Sequence, residues 1–95
     1  PTYNFIIEGS VNTYETILNH IEIFPNPVDD LLIIDGNIDY QNVEVGIFDI
    51  TGKQMKQFVF RAETHQTDVS QLKPGVYLIE IALEDERKAE KLIIF

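Results

Sequence analysis

The sequence predicts an all-β domain, a sandwich or a barrel. Three observations carry this. Apolar runs of about four to eight residues alternate with turn residues along most of the chain. Helix signals are nearly absent; the best stretch, Tyr14 to Ile23, holds β-branched Thr16, Ile17, Ile21 and Ile23 and no clean apolar stripe. Glycine and proline stand where tight turns need unusual backbone angles.

Residues 1–20 differ in character from the rest of the chain. They are rich in Asn and Thr with scattered apolar positions, and they read as a linker or the tail of an upstream region. One strand is expected there, at Tyr3–Ile7. Residues 21–95 carry the other expected strands: Ile21–Phe24, Leu31–Ile34, Val43–Asp49, Gln54–Arg61, His65–Val69, Val76–Leu83 and Lys88–Ile94.

In the strand from Val43, residues Val43, Val45 and Ile47 alternate with Glu44 and Gly46, as a half-buried strand requires. Tyr77, Ile79, Ile81 and Leu83 form one face of a second strong strand, with Val76, Leu78 and Glu80 on the other. Leu92-Ile93-Ile94-Phe95 is apolar on both faces, either a central strand or an edge awaiting a partner.

Each turn has a mechanism. Asp49-Ile50-Thr51-Gly52-Lys53 reads as a tight hairpin in which Gly52 takes a positive φ. Lys73-Pro74-Gly75-Val76 reads as a type II turn, Pro74 fixing φ and Gly75 supplying a positive φ at the third position. Pro25 and Pro27 lack an N–H, and Asn26 between them is pushed toward extended geometry. That segment cannot lie mid-sheet; it can cross between sheets or cover an edge.

Bulk properties exclude several functions. The chain has 95 residues, enough for one thin core, and 44% hydrophobic content argues against wholesale disorder. Seven basic residues face 16 acidic ones, for a net charge of −9. The densest basic stretch, Arg87-Lys88 with Lys91, is interrupted by Glu86 and Glu90, so nucleic acid is excluded as a partner and an anionic membrane surface is disfavoured. With no cysteine there are no disulfides and no sulfur-held zinc. No apolar run approaches the roughly 20 residues of a bilayer span. The start at Pro1, without Met or leader, reads as a piece cut from a larger protein.

No reactive constellation emerges. Asp35-Gly36-Asn37-Ile38-Asp39 opens like a calcium loop, but Gly46 and Tyr40 occupy the positions that need Glu and Gly, so it reads as a polar turn. His20 and His65 lie far apart and read as two solvent-facing side chains. Ser10 and Ser70 have no base beside them. Asp29-Asp30 and Glu84-Asp85-Glu86 read as solvated loops. Tyr3, Tyr14, Tyr40 and Tyr77 are too spread for a sugar platform, and Tyr77 reads as a packed tyrosine with its hydroxyl at the rim. The sequence therefore predicts a non-enzyme with no catalytic residue, cofactor or metal.

Three segments, taken together and in this order, resemble a known family. They are Phe24-Pro25-Asn26-Pro27-Val28-Asp29-Asp30-Leu31, Val43 to Lys53 with its Asp49–Gly52 turn, and Leu72-Lys73-Pro74-Gly75-Val76-Tyr77 running on to Ile81. The chain resembles the type A C-terminal sorting domain of the type IX (Por) secretion system over residues 21–95. Lys88 to Ile94 is similar to the family's closing strand, with Lys91 at a typical lysine position; Phe95 stands where members often end in a polar or basic residue.

The resemblance implies an immunoglobulin-like Greek-key β-sandwich of about seven strands. It implies an address rather than a catalyst. An attached N-terminal cargo, exported through the periplasm, would cross the outer-membrane type IX translocon. A sortase-like surface peptidase would then cut the linker before Ile21, leaving the cargo at the surface or outside the Gram-negative cell. The motif residues it points to are Pro25, Asn26, Pro27, Asp49, Gly52, Pro74, Gly75, Tyr77, Lys91, Leu92, Ile93, Ile94 and Phe95.

A mechanism accompanies this reading. Recognition independent of cargo requires a rigid shape, so Lys91–Phe95 is expected to dock by adding its free edge to a receptor sheet, with Pro25, Gly52, Pro74 and Gly75 preserving its geometry. The competing readings are an extracellular immunoglobulin-like adhesive module, a carbohydrate-binding module and a calcium-stabilised spacer. The apolar finish at Phe95 reads as a natural end, which favours sorting. The sequence does not specify oligomeric state.

Overall fold

The computed structural model describes residues 20–83 and 86–95, and the side chains of all of these except 37–41. The expected strand Tyr3–Ile7 lies outside the described residues. Among the described residues there is no helix. Five strands follow one another: β1 (Glu22–Phe24), β2 (Leu31–Phe48), β3 (Gln54–Asp68), β4 (Gly75–Leu83) and β5 (Glu86–Ile94). All strand pairings are antiparallel.

Among the described residues there are five strands, against an expectation of about seven. The expected strands Leu31–Ile34 and Val43–Asp49 fall, but for Asp49, in the single strand β2 as its two arms, and Gln54–Arg61 and His65–Val69, but for Val69, in β3. The first arm of β2 lies between β1 (Ile23 opposite Ile34) and the end of β3 (Leu31 opposite Asp68). Its second arm lies between the start of β3 (Val45 opposite Phe58) and β4 (Ile47 opposite Ile79), with β5 beyond β4. Asp35 to Asp39 is thus not a turn: it runs inside β2, where the register against β3 shifts between Asp35 and Ile38 and again between Ile38 and Val43.

Those shifts have a purpose that the burial pattern shows. Leu32 and Ile34, at even positions, are buried in the first arm; Val43, Val45 and Ile47, at odd positions, are buried in the second. A strand alternates faces with period two, so an unbroken register would turn one of these sets to water. The irregularity switches parity and also bends the strand. β3 switches in the same region, from buried Phe60 to buried Thr67. The sheet therefore curls over one core that both arms share with Ile79, Ile81, Leu92 and Ile94. Each of these large aliphatic side chains, at 0–3% exposure, contributes roughly 1.5–3 kcal/mol by leaving water.

The expected face of β4 is the buried one: Tyr77, Ile79, Ile81 and Leu83 line the core, while Val76 and Leu78 point outward at 48% and 45% exposure. His65 corrects an expectation. It is half-buried, its ring stacked on Phe60 with centroids 4.7 Å apart and tilted against Phe58 at 4.9 Å, whereas His20 is exposed.

Candidate functional site

The first motif closes an edge. Asn26 donates from Nδ2 to the Lys91 carbonyl at 2.8 Å and accepts from the Ile93 N–H on Oδ1 at 3.0 Å. Two residues on, Val28 donates to the Ile93 carbonyl at 2.8 Å and accepts from the Phe95 N–H at 2.9 Å. Asn26 thus uses its side-chain amide as a peptide group would, and Val28 forms a parallel bridge to Ile94. Pro25 and Pro27 flank Asn26, both in cis peptide bonds, and neither presents an N–H to leave unpaired. The segment does both things its prolines permit: it leaves β1 on one arm of the sheet and covers the outer edge of β5 on the other.

This corrects the expectation of a free edge at Lys91–Phe95. Backbone groups of Lys91, Ile93 and Phe95 that face away from β4 are occupied from within the chain, and strand addition there would have to displace four hydrogen bonds. Leu92 and Ile94 face inward and are buried, Ile93 is half-buried, and the Lys91 and Phe95 side chains are exposed.

The second motif is a rigid hairpin. Asp49 donates its N–H to the Lys53 carbonyl at 2.9 Å, and Gly52 donates to the Asp49 carbonyl at 3.0 Å. Asp49 Oδ1 accepts from the Thr51 hydroxyl at 2.6 Å and from the N–H groups of Thr51 and Lys53 at 2.9 and 3.0 Å. The Thr51 hydroxyl, aided by those two N–H groups, holds the Asp49 carboxyl below its ordinary value, so it stays ionised. Gly52 has the positive φ, +91°, that such a three-residue loop requires.

The third motif departs from its expected turn. The reverse turn lies earlier, where Leu72 donates to the Val69 carbonyl at 3.0 Å and Asp68 Oδ1 accepts from the Ser70 N–H at 2.8 Å. Gly75 is instead the first residue of β4, opposite Ile94, with φ at +155° rather than the value near +80° of a type II turn. Tyr77 is buried, and its hydroxyl donates to the Lys73 carbonyl at 2.6 Å, tying the loop to the strand it enters. A tyrosine at a strand start that bonds back to the preceding backbone is a recurrent feature of immunoglobulin-like sandwiches.

Parts of these motifs meet on the outer face of the sheet. Phe48 of β2 stands opposite Leu78 of β4, and Leu78 opposite Lys91 of β5. Together with Ile50, Val76 and the Asp49–Gly52 turn they line an open groove of about 590 Å³, with Glu80 at its far side. The Phe48 ring lies over Gly46, where an added Cβ would come within 3.0 Å of the ring. The groove joins Asp49, Gly52, Tyr77 and Lys91; Pro25, Asn26 and Pro27 lie outside it and touch it only through the Lys91 carbonyl. Phe48, Ile50, Val76, Leu78 and Glu80 complete a site that motif reading alone passed over, although the outward alternation of Val76 and Leu78 was visible.

The groove offers contact chemistry rather than reaction chemistry. Its floor is apolar, its rim holds Asp49, Glu80 and Lys91, and Glu80 is bridged to Arg87 at 3.3 Å. Among the described residues no three His, Cys, Asp or Glu side chains are grouped to hold a metal ion. No described helix is long and apolar enough to cross a membrane.

Residues 22–95 match the family described as the secretion system C-terminal sorting domain. An endo-acting ulvan lyase from Formosa agariphila is 30% identical over 86 residues, which is 90% of this chain and 16% of the lyase. PorZ, a surface component of the type IX secretion system of Porphyromonas gingivalis, superposes with a TM-score of 0.69 at 19% identity, over 93% of this chain and 12% of PorZ. That likeness shows the shared sandwich-type fold. The chain thus spans a small fraction of each of these proteins.

Proposed function

The chain belongs to the C-terminal sorting domains of type IX secretion, and from that membership we infer how it works as an export address. A sorting domain is the secretion signal of the cargo that carries it and is not itself catalytic. Its destination is the cell surface or the extracellular space. The family match over residues 22–95 carries this conclusion.

The finer steps are our reading. A larger cargo precedes residues 1–20; the ulvan lyase, of which the match covers 16%, has room for one. Residues 1–20 serve as linker and residues 21–95 as the signal. In the periplasm the folded sandwich is read, the cargo passes the outer-membrane translocon, and a sortase-like surface peptidase cuts the linker before Ile21. A linker cut leaves the sandwich intact, which suits a signal whose fold depends on contacts between its two ends, Asn26 to Lys91 and Val28 to Phe95.

A reporter fusion tests this reading. Residues 1–95 are placed after a periplasmic fluorescent protein in a type IX host and in a translocon-null strain. The reading predicts reporter outside or on the cell only with an intact translocon, with the tag removed. Folded reporter held in the periplasm of both strains would refute it.

A further inference from the structure

We propose that the groove beside the Asp49 turn is the surface by which the secretion machinery reads this domain, and that its occupant is an apolar side chain ringed by basic groups on a protein partner. The proposal rests on the sorting role given above. It replaces strand addition at β5, because Asn26 and Val28 already occupy that edge.

Exposure is the first argument. Ile50, Val76 and Leu78 are 83%, 48% and 45% exposed, and all three border the same groove. Single exposed apolar residues are ordinary; a contiguous set around a concavity marks a contact surface. Val59, also 55% exposed, lies outside the groove lining.

Rigidity is the second. One wall is a hairpin with five internal hydrogen bonds, three of them on Asp49 Oδ1. The other is β4, held on both sides by β2 and β5. A preformed surface loses little conformational freedom on binding, and it presents the same shape whatever cargo is attached.

Charge selects the occupant. Asp49 and Glu80 border the groove with the ammonium of Lys91, and Glu80 is bridged to Arg87, so the rim itself is close to balanced. The whole chain carries −9. A lipid phosphate or other anion would meet net repulsion from so acidic a chain, whereas a basic protein surface around an apolar plug would be complementary.

The test uses the reporter fusion with Leu78→Asp, Ile50→Asp and, as a control on another exposed apolar position, Val59→Asp. Each purified fusion is melted, and its exported fraction is measured. We expect both groove variants to stay folded and to lose at least about tenfold in export, the range of a contact hot spot, while Val59→Asp matches the parent. Should Leu78→Asp fail to fold, Ile50→Asp, at the exposed turn tip, decides the matter. Folded groove variants exported at the parental level would overturn the proposal, as would equal loss in the control. Binding of the purified domain to anionic phospholipid vesicles, abolished by Ile50→Asp, would overturn the choice of a protein partner. A parent fusion that stays inside would instead overturn the sorting reading, and the groove with it.

Discussion

The clasp and the groove use neighbouring parts of the same strands in opposite ways. At the clasp, Asn26 and Val28 consume the outward hydrogen-bonding groups of Lys91, Ile93 and Phe95. At the groove, Ile50, Val76 and Leu78 remain exposed to water. Lys91 belongs to both, its carbonyl to the clasp and its side chain to the groove. The difference teaches that motif residues divide into two roles. Some close an edge that would otherwise pair at random, and others hold an open face in shape.

The largest effect should come from deleting Lys91–Phe95. The deletion removes buried Leu92 and Ile94 together with all four clasp bonds. Each buried side chain is worth about 2–5 kcal/mol, against a total stability of about 5–15 kcal/mol for a typical domain. We expect no cooperative thermal transition in the purified domain, and loss of export because the fold is lost. A cooperative melt in the deletion would separate the last strand from the core and break the comparison.

Asn26→Ala should act more mildly. It removes two bonds at an exposed edge, about 1–2 kcal/mol, and should speed hydrogen exchange of the Ile93 amide more than that of Phe95, whose acceptor is Val28. Equal acceleration would mean that the clasp opens as a unit. Gly52→Ala should cost about 1 kcal/mol. An added Cβ there meets nothing within 4 Å, so the penalty is that of the +91° backbone alone; denaturant midpoints at constant slope would measure it.

The smallest effect concerns pH. The folded-state pKa values of Asp49 and Asp68 lie below the ordinary value, Asp49 chiefly through the Thr51 hydroxyl and Asp68 chiefly through the Ser70 side chain. A depressed carboxyl contributes stability that is fully present above its unfolded pKa of about 3.9 and is lost as pH falls through the folded value. The melting temperature should therefore drop below pH 4, and Asp49→Asn should make that drop shallower. A variant with the parental acid profile would remove Asp49 from the account.

Local patterns made much of the fold legible. Alternation over Tyr77–Leu83 predicted the buried face of β4, and Gly52 predicted its own positive φ. The continuity of β2 and β3 was hidden because the irregular stretch between Asp35 and Val43, across which parity switches, opens with residues that suit a turn. Gly75 misled for a related reason: Pro-Gly suits a type II turn, but here the pair delivers the chain into β4. The clasp was not legible at all, since Asn26 and Lys91 stand 65 residues apart and no local pattern links them. The prolines said only that their segment must cover an edge or cross between sheets. The groove was half legible: the outward set of β4 was visible, but its neighbours Phe48 and Lys91 depend on strand order.

One measurement tests the division of labour most directly. Asn26→Ala and Leu78→Asp reporter fusions are compared for export at a temperature where both are shown to be folded. The account predicts that Asn26→Ala is exported in proportion to its folded fraction, while Leu78→Asp stays in the periplasm although folded. Export of folded Leu78→Asp alongside retention of folded Asn26→Ala would contradict it and return recognition to the closing strand and its clasp.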